Sequence, residues 1–245
     1  GDRENRISIE VSWLFFNDDE SPRTDTGNGK SYEENGGKMN ALSFLMKFFA
    51  ELKIRDQNLF YFGLINLAAA VAMFVCSFVI DVNFLGTHAL YKPVKFGISI
   101  GVYAWTMAWY CAYLGPSFNL KFFSWATIAL LGFELFYISI QAFRGQASHF
   151  NLSTPAYQIL YVAMGVAAAL VTLLTAYVGF LFFTKKFDSL PEGYLWGIRY
   201  GILIFVIFSF QGFLMGSRLT HTVGAPDGTD GLWFLNWSRK FGDLR

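Results

Sequence analysis

Charged residues are scarce in this sequence. Asp, Glu, Lys and Arg make up 15% of its 245 residues, whereas a soluble domain carries about a quarter. Hydrophobic residues reach 54% and aromatic residues 19%, and the mean hydropathy is +0.37. This shortage excludes a soluble surface of this size, so the lipid bilayer is the expected partner. A net charge of +1 provides no basic field, and nucleic acid is therefore not an expected partner.

Cysteines and common catalytic motifs are also scarce. The two cysteines, Cys76 and Cys111, lie in different predicted helices near opposite ends. At 1.5 Å per residue they are about 20 Å apart, which excludes a disulfide between them. The sequence has no Gly-rich phosphate loop and no His-Glu-x-x-His metal motif. Local motifs therefore assign no reaction and no cofactor.

The first 38 residues differ in kind from the rest of the chain. They are polar, rich in Gly, Asp and Glu, and have no helical period. This composition predicts that residues 1–38 form a mostly disordered arm. They also lack the basic segment followed directly by an apolar core that is typical of a signal peptide. Residues 39–245 are predicted to form a single membrane domain. The chain stops at Arg245 without a closing apolar element, which leaves open a further helix after it.

Five long apolar stretches predict an all-α transmembrane bundle. A hydrocarbon core of roughly 30 Å takes about 20 helical residues to cross, and a helix satisfies its own backbone hydrogen bonds there. The period-two alternation of a barrel strand is absent. The predicted spans are residues 59–80, 96–114, 122–143, 156–183 and 194–216. Gly97 and Gly101 in the second span predict close approach of a neighbouring helix.

A shorter helix is predicted over residues 40–55, before the first span. Lys47, Glu51 and Arg55 follow i, i+4 spacing on one face, and Leu45 and Leu52 lie on the other. This pattern is typical of an amphipathic helix that lies in the membrane interface.

The distribution of basic residues predicts a cytoplasmic amino terminus. That side would hold more of the Lys and Arg residues in short connections, among them Lys53, Lys121 and Lys185. We expect an integral protein of a bacterial inner membrane or another cell membrane. Five alternating spans also put the connections 81–95 and 144–155 and the tail on one side. All three histidines lie on that side: His88, His149 and His221.

A polar stripe on the third span leads toward the histidines. At about 100° per residue its members fall within an arc of about 80°, and they are Glu134, Tyr137, Gln141 and Arg144. Ionisable residues inside a membrane usually face the bundle interior or a wet cavity, and they mark a functional site. The alternative is a structural carboxylate that pairs with an arginine or bonds across helices.

A second, shorter stripe lies on the fifth span. Gln211 and Arg218 are seven residues apart and point toward the same side. The alternative is a glutamine that packs between helices and an arginine that reaches the interface. Basic residues near the histidines favour an anionic or polar ligand. The candidate ligand-binding residues are His88, Lys92, Lys95, Glu134, Tyr137, Gln141, Arg144, His149, Gln211, Arg218 and His221.

A metal site is not expected, although the histidines converge. His88, His149 and His221 would be the ligands of a zinc ion with water in the fourth position. Nearby Lys and Arg side chains oppose a cation there. Haem between two histidines is another alternative, but these histidines lie at helix ends rather than at matched depths. Ordinary interfacial histidines remain the simplest interpretation.

Three functions are compatible with these residues. The leading hypothesis is a transporter or binding protein with a pocket for a small polar or anionic ligand on the histidine side, and with Glu134 as a coupling carboxylate. The second is an intramembrane enzyme, dependent on a metal or haem, that uses His149 or His221 as base or ligand and Glu134 as acid or base. The third is a non-catalytic subunit of a larger membrane complex.

Overall fold

The computed structural model describes residues 41–84, 87–149 and 151–217, which contain six helices. The helices are α1 (Ala41–Arg55), α2 (Gln57–Cys76), α3 (Tyr91–Cys111), α4 (Leu120–Phe143), α5 (Pro155–Thr184) and α6 (Glu192–Ser217). A 3-10 turn, Ala112–Leu114, follows α3, and two short antiparallel strands, β1 (Asn83–Phe84) and β2 (Thr87–His88), precede it. The predicted arm and the tail from residue 218 onward lie outside the described residues.

Local side-chain chemistry sets several helix ends. Asp56 accepts a hydrogen bond from Leu59 N at 2.9 Å, and Asn119 accepts one from Phe122 N at 3.0 Å. Each bond satisfies a backbone donor in the first turn, of α2 and α4 respectively. Just after α4, Gly145 adopts a φ of 62°, a left-handed conformation that glycine favours at helix ends. The caps explain why these two helices begin slightly before the apolar stretches that predicted them.

Four helical segments are long and apolar enough to cross a membrane: Gln57–Cys76, Leu120–Phe143, Pro155–Thr184 and Glu192–Leu214. They correspond to four of the five predicted spans. The second predicted span corresponds to α3, which has 21 residues but is less apolar, because it contains Lys92, Lys95 and several Trp, Tyr and Gly residues. The described part of the chain therefore supports a helical protein compatible with a membrane location, with four apolar spans rather than at least five.

Large apolar side chains cover much of the outer surface. Ile65 and Val71 on α2 and Ile159 and Phe180 on α5 are each at least 60% exposed. Soluble monomers rarely expose contiguous apolar patches of more than a few hundred Å². This surface therefore suggests contact with the lipid bilayer.

Helices α2 and α3 approach closely at glycines. A Cβ atom on Gly63 would overlap the indole ring of Trp105, and one on Gly101 would lie 2.7 Å from Leu67 Cγ. Small residues at a helix contact allow this proximity, so the close approach predicted at Gly101 is present. As a result the Trp105 indole is fixed directly over Gly63.

Helix α1 differs from the prediction in its last turn. Glu51 and Arg55 were expected on a solvated face, but they are only 7% and 6% exposed. On the apolar face, Leu52 is fully buried and Leu45 is 47% exposed. Arg55 is buried because it contacts Trp109 on α3, 54 residues away in the sequence. The helical periodicity of α1 alone does not predict this contact.

Candidate functional site

Contacts between helix ends define two ends of the bundle. Lys92 at the start of α3 contacts His149, which follows α4, whereas Trp109 near the end of α3 contacts Tyr194 near the start of α6. We call the end with the connections 77–90 and 144–154 the histidine end. The opposite end contains α1 and the connections 112–119 and 185–191.

The polar stripe predicted on the third span lies on α4 and is mostly buried. Glu134 and Tyr137 are each 7% exposed, and Gln141 is 1% exposed. Arg144, the first residue after α4, is exposed. Three of the four predicted members therefore face the interior of the bundle, where Tyr137 packs with Ile138 in an apolar cluster.

Gln141 connects α4 to the loop that follows it. Its Nε2 donates hydrogen bonds to Ala147 O at 3.2 Å and to Tyr137 OH at 3.3 Å. Asn151 Nδ2 donates to the same carbonyl of Ala147 at 3.2 Å. These bonds orient the amide so that its nitrogen is satisfied by the protein.

Several buried polar atoms of the described residues have no hydrogen-bond partner. Within the described residues the buried atoms in this condition are Thr127 Oγ1, Glu134 Oε1, Gln141 Oε1 and Arg55 Nη2. Buried polar groups almost always have a partner, ordered water included, and an unsatisfied one costs about 1–3 kcal/mol. The three oxygens all belong to α4, so this helix presents acceptors to a water or ligand that donates hydrogen bonds.

His149 lies beside the start of α3. Lys92 Nζ is 3.0 Å from His149 Nδ1, and Ser148 Oγ is 3.1 Å from the same nitrogen. Because an ammonium group has only donors, Nδ1 accepts and the ring proton lies on Nε2. The ring also lies 6.0 Å from the Phe96 ring and 6.4 Å from the Tyr161 ring, centre to centre.

His88 has a local structural role. Its Nε2 lies 2.7 Å from Ile80 O, to which it donates, and its Nδ1 accepts from Leu90 N at 3.2 Å. Both ring nitrogens are thus occupied by backbone groups of the same connection. The His88 ring also lies 5.3 Å from the ring of Tyr91 at the start of α3, whereas His149 hydrogen-bonds to the Lys92 side chain on that helix.

The remaining predicted residues are less closely connected. Lys95 and Arg144 are exposed, and Gln211 is half-buried on α6. Arg218 and His221 lie outside the described residues, so the predicted three-histidine set is incomplete there. The structure brings together Lys92 with His149, and Tyr137 with Gln141.

A buried charged cluster at the opposite end was missed by the sequence analysis. Arg55 Nε donates to Glu51 Oε1 at 2.7 Å, and Arg55 Nη1 donates to Trp109 O at 3.1 Å. The guanidinium carbon lies 4.1 Å from the Trp109 ring centre and 4.6 Å from that of Tyr113. The i, i+4 spacing of Glu51 and Arg55 was visible in the sequence, but their burial was not.

Hydrogen bonds extend this cluster to two other helices. Trp109 Nε1 donates to Tyr194 OH at 2.7 Å, which connects α3 with α6. Asp56, next to Arg55, accepts a hydrogen bond from Ser124 Oγ on α4. The opposite end therefore contains a carboxylate that reaches α4 directly.

An aromatic cavity of about 290 Å³ lies between α1 and α3. Phe48 and Trp109 line it and stack with ring centres 5.3 Å apart. Its other lining residues are Val102, Trp105, Thr106 and Tyr110. Thr106 Oγ1 donates to Val102 O in its own helix, so this cavity offers few polar groups to a ligand.

Metal-binding groups do not gather in the part of the chain that the structure describes. There, no three or more His, Cys, Asp or Glu side chains lie together so that they could hold a metal ion. Comparison of the chain with protein-family models, curated proteins and solved structures gave no match in any of the three.

Proposed function

We propose that this chain is a polytopic integral membrane protein that binds, and moves across the membrane, a small polar ligand at the histidine end. The observation that carries the proposal is the Gln141 amide, which is 1% exposed and whose Oε1 has no hydrogen-bond partner among the described residues. It lies beside the loop whose His149 accepts from Lys92. A buried acceptor next to a basic group is typical of a polar ligand site.

The surrounding residues favour a ligand with both donors and negative charge. Glu134 and Gln141 offer acceptors inside the bundle, whereas Lys92, Lys95 and Arg144 offer cations near its surface. An anionic group would pair with the cations, and a donor group would satisfy the buried oxygens. Amino acids have this chemistry, and glycine is the smallest probe of it.

The proposal includes five membrane crossings, with α3 as the second. The 21 residues of α3 extend about 31 Å at 1.5 Å per residue, which equals the hydrocarbon thickness. Its first residues contact the histidine end through Lys92, and its last residues contact the opposite end through Trp109. Its burial between other helices reduces the need for an apolar surface.

Single-cysteine labelling tests the crossing of α3. In a background with Cys76 and Cys111 replaced by Ala, cysteines are introduced at Asp81 and Ser117, which flank α3. We expect a membrane-impermeant maleimide to label one of them from outside intact cells and the other only after permeabilisation. Labelling of both from the same side would show that α3 does not cross.

Ligand-dependent stabilisation tests the binding site. The melting temperature of the purified full chain is measured with glycine, acetate, phosphate or ammonium, since binding to the native state raises it. We expect glycine to raise the melting temperature of the unaltered chain and of the control Lys186→Met, which changes an exposed cation at the opposite end. Gln141→Leu should lose the effect. Equal stabilisation of Gln141→Leu, or none of the unaltered chain, would count against this site.

The enzyme alternative has less support. Both ring nitrogens of His88 are bonded to backbone groups, and His149 Nδ1 is taken by Lys92 and Ser148. Among the described residues Glu134 Oε1 accepts no hydrogen bond, so no acid–base pair with His88 or His149 forms through it. Geometry of this kind favours binding over the positioned proton transfer that catalysis requires.

A further inference from the structure

The unpartnered oxygens of α4 occur at a regular interval. Thr127, Glu134 and Gln141 are separated by seven residues each, and all three are more than nine-tenths buried. Seven residues are nearly two full helical turns, so the three side chains lie on one face of α4, about 10.5 Å apart along its axis. The buried face therefore carries a row of hydrogen-bonding oxygens.

Polar groups continue this row to both ends of the helix. Ser124, one turn before Thr127 and fully buried, donates to the carboxylate of Asp56 at the opposite end. Gln141 bonds to Ala147 O in the loop that contains His149. With 24 residues, α4 is about 36 Å long. The row thus extends over most of a membrane thickness.

No other charged group within the neighbouring helices competes for these oxygens. Helices α2 and α5, which pack against α4, contain no Asp, Glu, Lys or Arg, and α3 contains only Lys92 and Lys95 at the histidine end. Among the residues that the structure describes in α2, α3, α4 and α5, Glu134 is therefore the one carboxylate. Ionisable residues at such depth often belong to proton relays or ion pathways.

The spacing of the oxygens argues for protons rather than a metal cation. A cation such as Mg²⁺ or Ca²⁺ needs about six oxygens at 2.0–2.6 Å, and oxygens about 10.5 Å apart cannot share one ion. Hydrogen-bonded waters at about 2.8 Å would bridge each gap with roughly three molecules. Buried waters typically bind otherwise unsatisfied polar groups of this type.

We propose that the row of Thr127, Glu134 and Gln141 carries protons across the membrane through a chain of water molecules. The Glu134 carboxylate takes a proton from a hydronium ion on one side, which breaks an O–H bond of the hydronium and forms one on the carboxylate. The carboxylic acid then gives a proton to a water on the other side, which breaks its O–H bond and turns that water into hydronium. One proton crosses, no electron moves and no other reactant is consumed. This inference builds on the proposed function, since it identifies the proton as a transported or coupled species.

Proton flux into liposomes tests this directly. The full chain is reconstituted with a pH-sensitive dye inside, and a potassium diffusion potential set with valinomycin drives protons inward. We expect acidification faster than in protein-free liposomes. Glu134→Gln, which keeps the shape but cannot exchange a proton, should reduce the rate to that of protein-free liposomes, and Glu134→Asp should retain flux.

Thr127→Val and Thr172→Val form a matched pair. Both replace a buried threonine, but Thr172 is on α5 and its hydroxyl already donates to Ala168 O. We expect Thr127→Val to lower the flux and Thr172→Val to leave it unchanged. Size-exclusion profiles and melting temperatures show whether each variant is folded. If Glu134→Gln does not fold, the difference in proton flux between Thr127→Val and Thr172→Val tests the inference.

Two outcomes overturn the inference. One is a flux of the unaltered chain equal to that of protein-free liposomes, and the other is an unchanged flux in folded Glu134→Gln and Thr127→Val. The failure of the proposed ligand site is separate, because it is measured by glycine-dependent stabilisation and by Gln141→Leu. The chain can fail either test and pass the other.

Discussion

Replacement of Gly63 by alanine should destabilise the bundle strongly. The added methyl group would overlap Trp105 Nε1 and Cδ1 and would lie 3.1 Å from Gly101 O. The indole cannot easily move, since the Phe49 ring lies 5.2 Å from it and its Nε1 donates to Phe60 O at 3.0 Å. Either the indole shifts and loses this bond, or α2 and α3 separate.

The magnitude follows from these two losses. Overpacking of a well-packed contact costs about 1–3 kcal/mol, and a lost hydrogen bond adds about 1 kcal/mol. We therefore expect Gly63→Ala to lower the free energy of unfolding by about 2–4 kcal/mol. For a chain of this size, 1 kcal/mol corresponds to about 2–4 °C in melting temperature, so a decrease of at least about 4 °C is expected.

A thiol-reactive dye provides the assay and Gly165→Ala the control. Cys111 is 2% exposed, so it reacts with the dye mainly when the bundle opens. Gly165 lies in α5 with no atom within 4 Å of a Cβ built on it, and alanine there should be neutral or slightly stabilising. If Gly63→Ala melts at the same temperature as Gly165→Ala, the close contact between α2 and α3 is refuted.

Three other changes test the buried polar groups by the same melting assay. Arg55→Gln leaves Glu51 buried without its cation and should lower the free energy of unfolding by about 3–5 kcal/mol; the double variant with Glu51→Gln should recover part of this, and no recovery would contradict the pairing. Thr127→Val removes a hydroxyl to which no described protein group bonds and should leave the free energy of unfolding nearly unchanged, whereas Thr172→Val should cost about 0.5–1.5 kcal/mol; the reverse order would contradict our description of Thr127. Asp56→Ala removes both the cap of α2 and the acceptor of the Ser124 hydroxyl and should cost at least about 0.5–2 kcal/mol, and an unchanged melting temperature would argue against both bonds.

Hydropathy predicted the helices well because the feature it measures is local. The stretches 122–143 and 156–183 became Leu120–Phe143 and Pro155–Thr184, since a long apolar run requires an internally bonded backbone. Tyr91–Cys111 was harder to classify from hydropathy, because its aromatic residues and glycines pack against neighbours rather than face lipid. Which face of a helix is buried depends on the helices that pack against it, and hydropathy along the sequence does not identify those helices.

The candidate site was predictable only in part, for the same reason. The stripe of Glu134, Tyr137 and Gln141 follows from helical geometry, and these side chains are buried as a shared inward face requires. The contact of Lys92 with His149 joins residues 57 positions apart, and Arg55 and Trp109 are 54 apart. Side-chain partners at such separations depend on how the helices pack, which residue spacing within one helix cannot give.

The free-energy cost of the unpaired oxygens on α4 argues that its polar row serves a purpose other than packing. Valine at 127 would fill a similar volume without an unsatisfied oxygen, and each such oxygen costs about 1–3 kcal/mol when nothing bonds to it. Water or a ligand that donates to Thr127, Glu134 and Gln141 would offset this cost. A variant that keeps its stability while it loses flux, as expected for Thr127→Val, would separate these two roles. A purely structural row would instead lose stability when the hydroxyl is removed, with no change in proton movement.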